Sequence, residues 1–177
     1  MTTTIRALLA TDDRTTFACG DVELDRFFRQ FAGQNQFKNY IGTTYVAVDA
    51  DGSLLGYATV APGALEFDAV PARDRKSVPK YPLPILRLAR LAVREDRQGQ
   101  GMGPALLRYV FQLALKMGEE LGCFAVVVDA YETAVSFYQG YGFIPIIGLE
   151  GGSSTRPATS QMFLALKKVK AAAGKKR

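Results

Sequence analysis

Gln98-Gly99-Gln100-Gly101-Met102-Gly103 sets three glycines at alternate positions just before an apolar-periodic run that begins at Pro104. Glycine reaches backbone conformations closed to other residues and leaves its amide uncovered. The N–H groups of such a turn can therefore converge on one point at the positive end of the helix dipole, which suits a phosphate. A plain tight turn would read the same way. Two common phosphate patterns are absent: no Gly-Lys-Ser/Thr follows the turn, and Gly99, Gly101 and Gly103 lack the spacing of a dinucleotide fingerprint.

Several other chemistries are excluded by composition. The chain has no histidine and two cysteines, Cys19 and Cys123, far apart in sequence. It cannot build a usual zinc site, a Cys-His pair or a Ser-His-Asp triad, and no metal is expected. Cys123, before an apolar run, reads as a core residue. The net charge of +5 has its source at one end, because Lys167 to Arg177 carries six basic residues and no acid. Arg73 to Arg108 is a second concentration, with nine basic residues against Asp74, Glu95 and Asp96.

The elements that must hold the turn can be read around it. Ile85 to Val93 reads as a strand entering the turn. Leu106, Leu107, Val110, Phe111, Leu113, Ala114, Met117 and Leu121 mark one face of the helix leaving it, closed by Gly122. Phe124 to Val128 is a continuous apolar run, the pattern of a strand buried on both faces, and strand-helix-strand order predicts a parallel pair. Upstream, Thr4 to Ala10 reads as a first strand and Asp21 as the N-cap of a helix. Leu24, Phe27, Phe28, Phe31 and Ala32 form that helix's core stripe. Thr43 to Val48 and Leu54 to Val60 flank Asp49 to Ser53 as a hairpin. Pro62 to Pro84, with five prolines, reads as an irregular connection, of a length that is often functional. Ile144 to Ile147 and Gln161 to Leu166 read as the last strands, joined by the polar loop Glu150 to Pro157, with a disordered basic tail over 167–177. One domain over 1–166 is expected. With neither a membrane-span pattern nor a secretion signal, it is expected in the cytoplasm.

The turn resembles the pyrophosphate-binding motif of GNAT-superfamily N-acetyltransferases, Gln/Arg-x-x-Gly-x-Gly/Ala, met by Gln98, Gly101 and Gly103. Ala134-x-x-Phe137-Tyr138-x-x-x-Gly142-Phe143 resembles that family's late motif. The resemblance implies an α/β GNAT fold: a mixed, mostly antiparallel sheet of six to seven strands, splayed in a V after the fourth and flanked by helices. It implies acetyl-coenzyme A as acetyl donor. The backbone of Leu91, Ala92 and Val93 would lie on the pantetheine arm, with Gln98, Gly99, Gln100, Gly101, Met102 and Gly103 on the pyrophosphate. Phe137 would flank the cofactor, and Tyr138 would give a proton to the departing thiolate. Read alone, Phe137 and Phe143 are core residues and Gly142 is a helix cap. Where a coenzyme-contacting asparagine is common in the family, this chain has Tyr131.

Phe17-x-Cys19-Gly20, Leu24-Asp25-x-Phe27, Thr44-Tyr45-Val46, Gly56-Tyr57, Arg90-Leu91-Ala92-Val93 and Val128-Asp129-Ala130 are similar to the acetyltransferase toxins of bacterial toxin-antitoxin pairs. That resemblance implies acetylation of the α-amine of aminoacyl-tRNA, a block of translation, and neutralisation by a ribbon-helix-helix antitoxin. Arg73, Arg75, Lys76, Lys80, Arg87 and Arg90 would then dock the tRNA backbone. No acidic residue lies within Ile85 to Val93 to serve as a base. An α-amine, with a pKa near ~8 against ~10.4 for lysine, needs one less. A small-molecule or antibiotic amine acetyltransferase, and a non-catalytic acetyl-coenzyme A binding module, are the alternatives, and a homodimer is left open.

Overall fold

A computed structural model describes residues 2–146 and 159–173. Seven strands form a mixed sheet in the order β1-β2-β3-β4-β5-β7-β6, flanked by helices. The strands are β1 Thr4–Ala7, β2 Thr43–Val48, β3 Leu54–Leu65, β4 Leu83–Val93, β5 Ala125–Tyr131, β6 Ile144–Pro145 and β7 Thr159–Ala165. The helices are α1 Val22–Arg26, α2 Ala32–Phe37, α3 Met102–Glu120, α4 Val135–Gln139 and α5 Leu166–Ala173. The chain gathers into two compact units, each made of two segments: 1–61 with 88–110, and 62–87 with 111–177.

In the first unit β1, β2 and β3 run antiparallel, with Thr4 opposite Val48 and Thr43 opposite Val60. The hairpin turn closes on Asp49, whose Oδ1 accepts from the amides of Asp51 (3.0 Å) and Ser53 (2.8 Å), with Gly52 at φ 84°. Asp21 caps α1 as expected, accepting from the Leu24 amide at 3.0 Å. The centre of this unit is Tyr57, fully buried and stacked on Phe28 at 4.3 Å, with its hydroxyl donating to the Leu24 carbonyl at 2.8 Å.

The expected stripe on α1 and α2 is interrupted. Phe27–Phe31 is a π-helical turn in which the Ala32 amide bonds back to Phe27 O. Five residues per closure instead of four put Ala32 in the core and turn Phe31 out to 40% exposure.

The second unit packs Leu65, Val70, Leu83, Ile85, Ala125, Val127, Phe163 and Ala165 into one cluster. β5 and β7 pair antiparallel from Ala125 opposite Ala165 to Tyr131 opposite Thr159, and β6 adds Ile144 opposite Phe163.

Four boundaries differ from those expected. β3 continues through Pro62 to Leu65, keeping the alternation of a strand with Pro62 on the exposed side, so the irregular connection shortens to 66–82. α3 starts at Met102, which places Gly103 inside its first turn rather than before it. Leu121 is 84% exposed: the helix stops at Glu120, and Gly122, at φ 107°, turns the chain away. Last, 167–173, expected as part of a disordered tail, is helical within α5, while 174–177 lie outside the described residues. Val169 of α5 is fully buried, and the helix's first residue seats against Gly118, where an added Cβ would lie 2.6 Å from Leu166 Cδ2. Lysines 167, 168 and 170 take the exposed side. Ile147 and the polar loop Glu150 to Pro157 lie outside the described residues.

Candidate active site

The first unit carries the glycine turn and everything that braces it. β4 ends at Val93, and the next amide, Arg94 N, donates to Leu55 O at 2.8 Å. β3 comes unusually close here: a Cβ on Gly56 would lie 2.9 Å from Ala92 O and 3.1 Å from Leu106 Cδ1. Gly56 is a site residue that hydrophobic patterning does not reveal, since only the neighbouring strand shows why no side chain fits.

A short 3-10 turn, Glu95–Arg97, leads from β4 to the glycines. Arg94 folds back on Asp96 through two hydrogen bonds of 2.6 and 3.0 Å. That pairing raises the guanidinium pKa and holds the carboxyl below its usual range. Gln98 spends its side-chain amide on the turn itself, donating to Cys19 O (2.8 Å) and Val93 O (3.0 Å). Its backbone N–H donates as well, to Glu95 O at 3.5 Å, so both of its donor groups serve the turn and neither is left for a phosphate. Gln100 likewise donates to Asp96 O at 3.2 Å.

Gly99 and Gly101 adopt φ of 73° and 85°, the left-handed region where a side chain is strained, and a Cβ on either would point into open space. α3 begins at once, with the Ala105 amide bonded to Gly101 O. The first amides of a helix have no acceptor within it, and Pro104 has none to offer. Met102 and Gly103 N–H thus lack an acceptor within the helix and lie at the positive end of its 19 residues. Arg97, in the short turn before the glycines, has its Nε buried without a hydrogen-bond partner among the described residues. Open left-handed glycines and helix amides fit a pyrophosphate. Among the described residues no group of three His, Cys, Asp or Glu is placed to hold a metal.

The loop that receives Gln98 is itself held. The buried Asp25 carboxylate accepts from Cys19 N at 2.8 Å, and Glu95 N donates to Ala18 O at 2.9 Å. Burial, with Asp25 beside it, pushes the Cys19 thiol up to about 12, so at neutral pH it is a core thiol rather than a nucleophile. Arg90, also in this unit, lays its guanidinium 3.7 Å from the Phe27 ring centroid.

The second unit carries Tyr138 and Phe137 on α4, and most of the basic residues. Tyr138 is 5% exposed, held edge-on between Phe137 (5.1 Å) and Phe143 (5.5 Å). Burial alone raises the pKa of its hydroxyl well above the usual tyrosine value. Phe137 is only half-buried, and Gly142, at φ 95°, follows α4 as a cap should. The basic side chains divide by use. Arg75 donates to Val70 O (2.7 Å) and Asp68 O (2.8 Å), tying its own loop. Arg87 bonds Asp129 Oδ2 through Nε at 2.8 Å and Nη2 at 2.5 Å. Arg73 pairs with Asp74 at 3.4 Å, and Lys76 and Lys80 stand exposed.

Residues 41–145 match the family described as acetyltransferase (GNAT) domain. The chain belongs to the GNAT acetyltransferases. It is 31% identical over 139 residues to the tRNA-acetylating toxin of Mycobacterium tuberculosis (strain ATCC 25618 / H37Rv), covering 78% of this chain and 82% of that one. Among solved structures it is similar to AtaT complexed with acetyl-methionyl-tRNAfMet, at 26% identity and a TM-score of 0.81, covering 96% of this chain and 98% of that one. AtaTR bound with AcCoA is similar too, at 27% identity and a TM-score of 0.77, covering 96% of each chain.

Proposed function

We propose that this chain is a toxin that transfers the acetyl group of acetyl-coenzyme A to the α-amine of aminoacyl-tRNA and so blocks translation. The observation that carries the reading is the likeness to a tRNA-acetylating toxin over most of both chains. Geometry at the turn supports the donor half. Acetyl-coenzyme A supplies the acetyl group as a thioester. Met102, Gly103 and the turn amides hold its pyrophosphate, while the β4 backbone at Leu91, Ala92 and Val93 orients the pantetheine arm and its carbonyl. Tyr138 gives the proton the sulfur needs. Its burial keeps the hydroxyl protonated throughout the working pH range. The acceptor needs no dedicated base, because an α-amine with a pKa near ~8 is partly neutral at pH 7.

The same reading brings a ribbon-helix-helix antitoxin as the neutralising partner and the cytoplasm as the place of action. The deciding experiment is incubation with radiolabelled acetyl-coenzyme A and total charged tRNA. Label in acid-precipitable RNA that is released when the aminoacyl ester is hydrolysed is expected. Label found only in a small amine overturns the reading in favour of a metabolic acetyltransferase.

A further inference from the structure

The π-helical turn between α1 and α2 leaves an arginine and a phenylalanine exposed where helical periodicity would bury the ring. Phe31 is 40% exposed, and Arg26, also exposed, lies over it with Cζ 5.6 Å from the ring centroid. Four residues earlier, Phe27 carries the Arg90 guanidinium at 3.7 Å. The segment therefore has two arginine-on-ring layers, one inner and one outer. The inner one reaches β4 at Arg90, the residue just before Leu91, where the donor's arm is proposed to lie.

We infer that Arg26 and Phe31 form a stacking platform for an unpaired base at the single-stranded 3′ end of the acceptor RNA. The inference deepens the proposed function and rests on it. An exposed ring offers a π-face to any base, and a guanidinium can stack on that base while meeting a phosphate with its edge. Charge agrees: of the acids on this segment, Asp25 is buried in its bond to Cys19 N, leaving Glu23 as the exposed one beside Arg26 and Arg29. Place agrees as well, since the free α-amine of an amino acid esterified to the terminal nucleotide can reach the donor only if that nucleotide is held close to the β4 end. The π turn also explains the exposure. An α-helical closure would return Phe31 to the core stripe, whereas the extra residue aims it outward.

The test is fluorescence anisotropy of a labelled single-stranded RNA ending in CCA, with acetyl-coenzyme A at saturation, against wild type, Phe31→Ala, Phe31→Leu and Phe31→Trp. Because Phe31 is partly exposed, each variant should fold, which melting confirms. Phe31→Ala and Phe31→Leu are expected to weaken RNA binding at least about five-fold, the lower end of what one stacked base contributes. Phe31→Trp should keep or tighten it, and affinity for acetyl-coenzyme A should stay unchanged. With charged tRNA, Phe31→Ala should raise KM by a similar factor and leave kcat within about two-fold. RNA binding by Phe31→Ala close to that of wild type, or no binding by wild type, overturns the platform. Failure of wild type to label charged tRNA overturns the function instead, and the platform is still decided by the RNA binding.

Discussion

The Gln98 side-chain amide donates to the carbonyl oxygen of Cys19 at 2.8 Å, joining the glycine turn to a loop 79 residues earlier in the chain. A second bond from the same nitrogen, to Val93 O at 3.0 Å, fixes the turn to the end of β4. Gln98 thus works as a brace. With Asp25 holding Cys19 from below, the turn is pre-organised before any ligand arrives, which lowers the ordering cost of binding.

Gln98→Ala should therefore act on affinity and leave chemistry alone. A net hydrogen bond is worth ~0.5–1.5 kcal/mol, so removing two should raise the KM for acetyl-coenzyme A roughly five- to 150-fold while kcat at saturation changes little. Gln98→Glu should be worse, since it sets a carboxylate against two carbonyl oxygens. Steady-state kinetics at varied donor concentration separate the two effects.

Gly101 allows a graded test. Its Cβ would meet nothing within 4 Å, so Gly101→Ala suffers only the strain of φ 85°, of order ~1–2 kcal/mol. Binding to acetyl-coenzyme A, measured by calorimetry, should weaken modestly. Gly101→Glu places a negative charge in the same open space and should abolish it. Wild-type affinity in a folded Gly101→Glu protein would make the turn merely structural.

How much of this was legible in the sequence depends on the kind of interaction. The turn, the Asp21 cap, the hairpin around Asp49 and the buried β5 run are local patterns, and each lies where its residues say. Phe31 and Leu121 broke helical periodicity because a π turn and an early helix stop shift the phase, and neither leaves a mark in apolar spacing. The basic segment after Leu166 reads as solvated from charge alone, yet Val169 needs only one buried face and a gap at Gly118 to make it a helix. Gly56 and the Gln98 to Cys19 bond are pairings across long stretches of chain. Only the folded backbone reveals them.

Tyr138→Phe keeps the ring against Phe137 and Phe143 and deletes the hydroxyl. General acid help is worth ~10²- to 10⁴-fold, so kcat should fall by that order with donor affinity unchanged. The raised pKa has a sign that can be checked. The folded protein holds this proton more tightly than the unfolded chain, so its share of stability is whole below the ordinary tyrosine value of 10.0 and is lost as pH rises past it toward the folded value. Wild type should lose no rate to Tyr138 ionisation below pH ~10, and the Phe variant's melting temperature should fall less steeply above it.

Cys19 offers an independent check on the brace. A thiol moved from 9.0 to about 12 holds about 10³-fold less thiolate at neutral pH. Alkylation by iodoacetamide at about pH 8 should therefore be negligible in the folded protein and rapid in denaturant. Fast labelling of native Cys19 would mean that the loop receiving Gln98 opens, and the pre-organisation would fail with it.

The basic residues proposed to dock tRNA do not share one role. Arg75 holds the carbonyls of Val70 and Asp68, and Arg87 is committed to Asp129. Replacing either would disturb structure as well as docking. Lys76 and Lys80 are exposed, and Arg73 keeps only a 3.4 Å approach to Asp74. The clean variant is therefore Arg73→Ala with Lys76→Ala and Lys80→Ala. Every phosphate that goes unneutralised should lower the slope of log K against log salt by about 0.7 to 0.9, so tRNA binding should weaken and its salt slope should flatten by up to about two to three. Affinity for acetyl-coenzyme A should hold, while the melting temperature should fall modestly, because Arg73→Ala leaves the buried Asp74 carboxylate without its ion pair. Lysines on α5 lie on an exposed face and add their own attraction, so a Lys167→Ala, Lys168→Ala, Lys170→Ala variant, which spares Val169, belongs beside it. Unchanged tRNA acetylation and salt slope in the first variant, with weakening in the second, would move the docking surface from the loop to the helix.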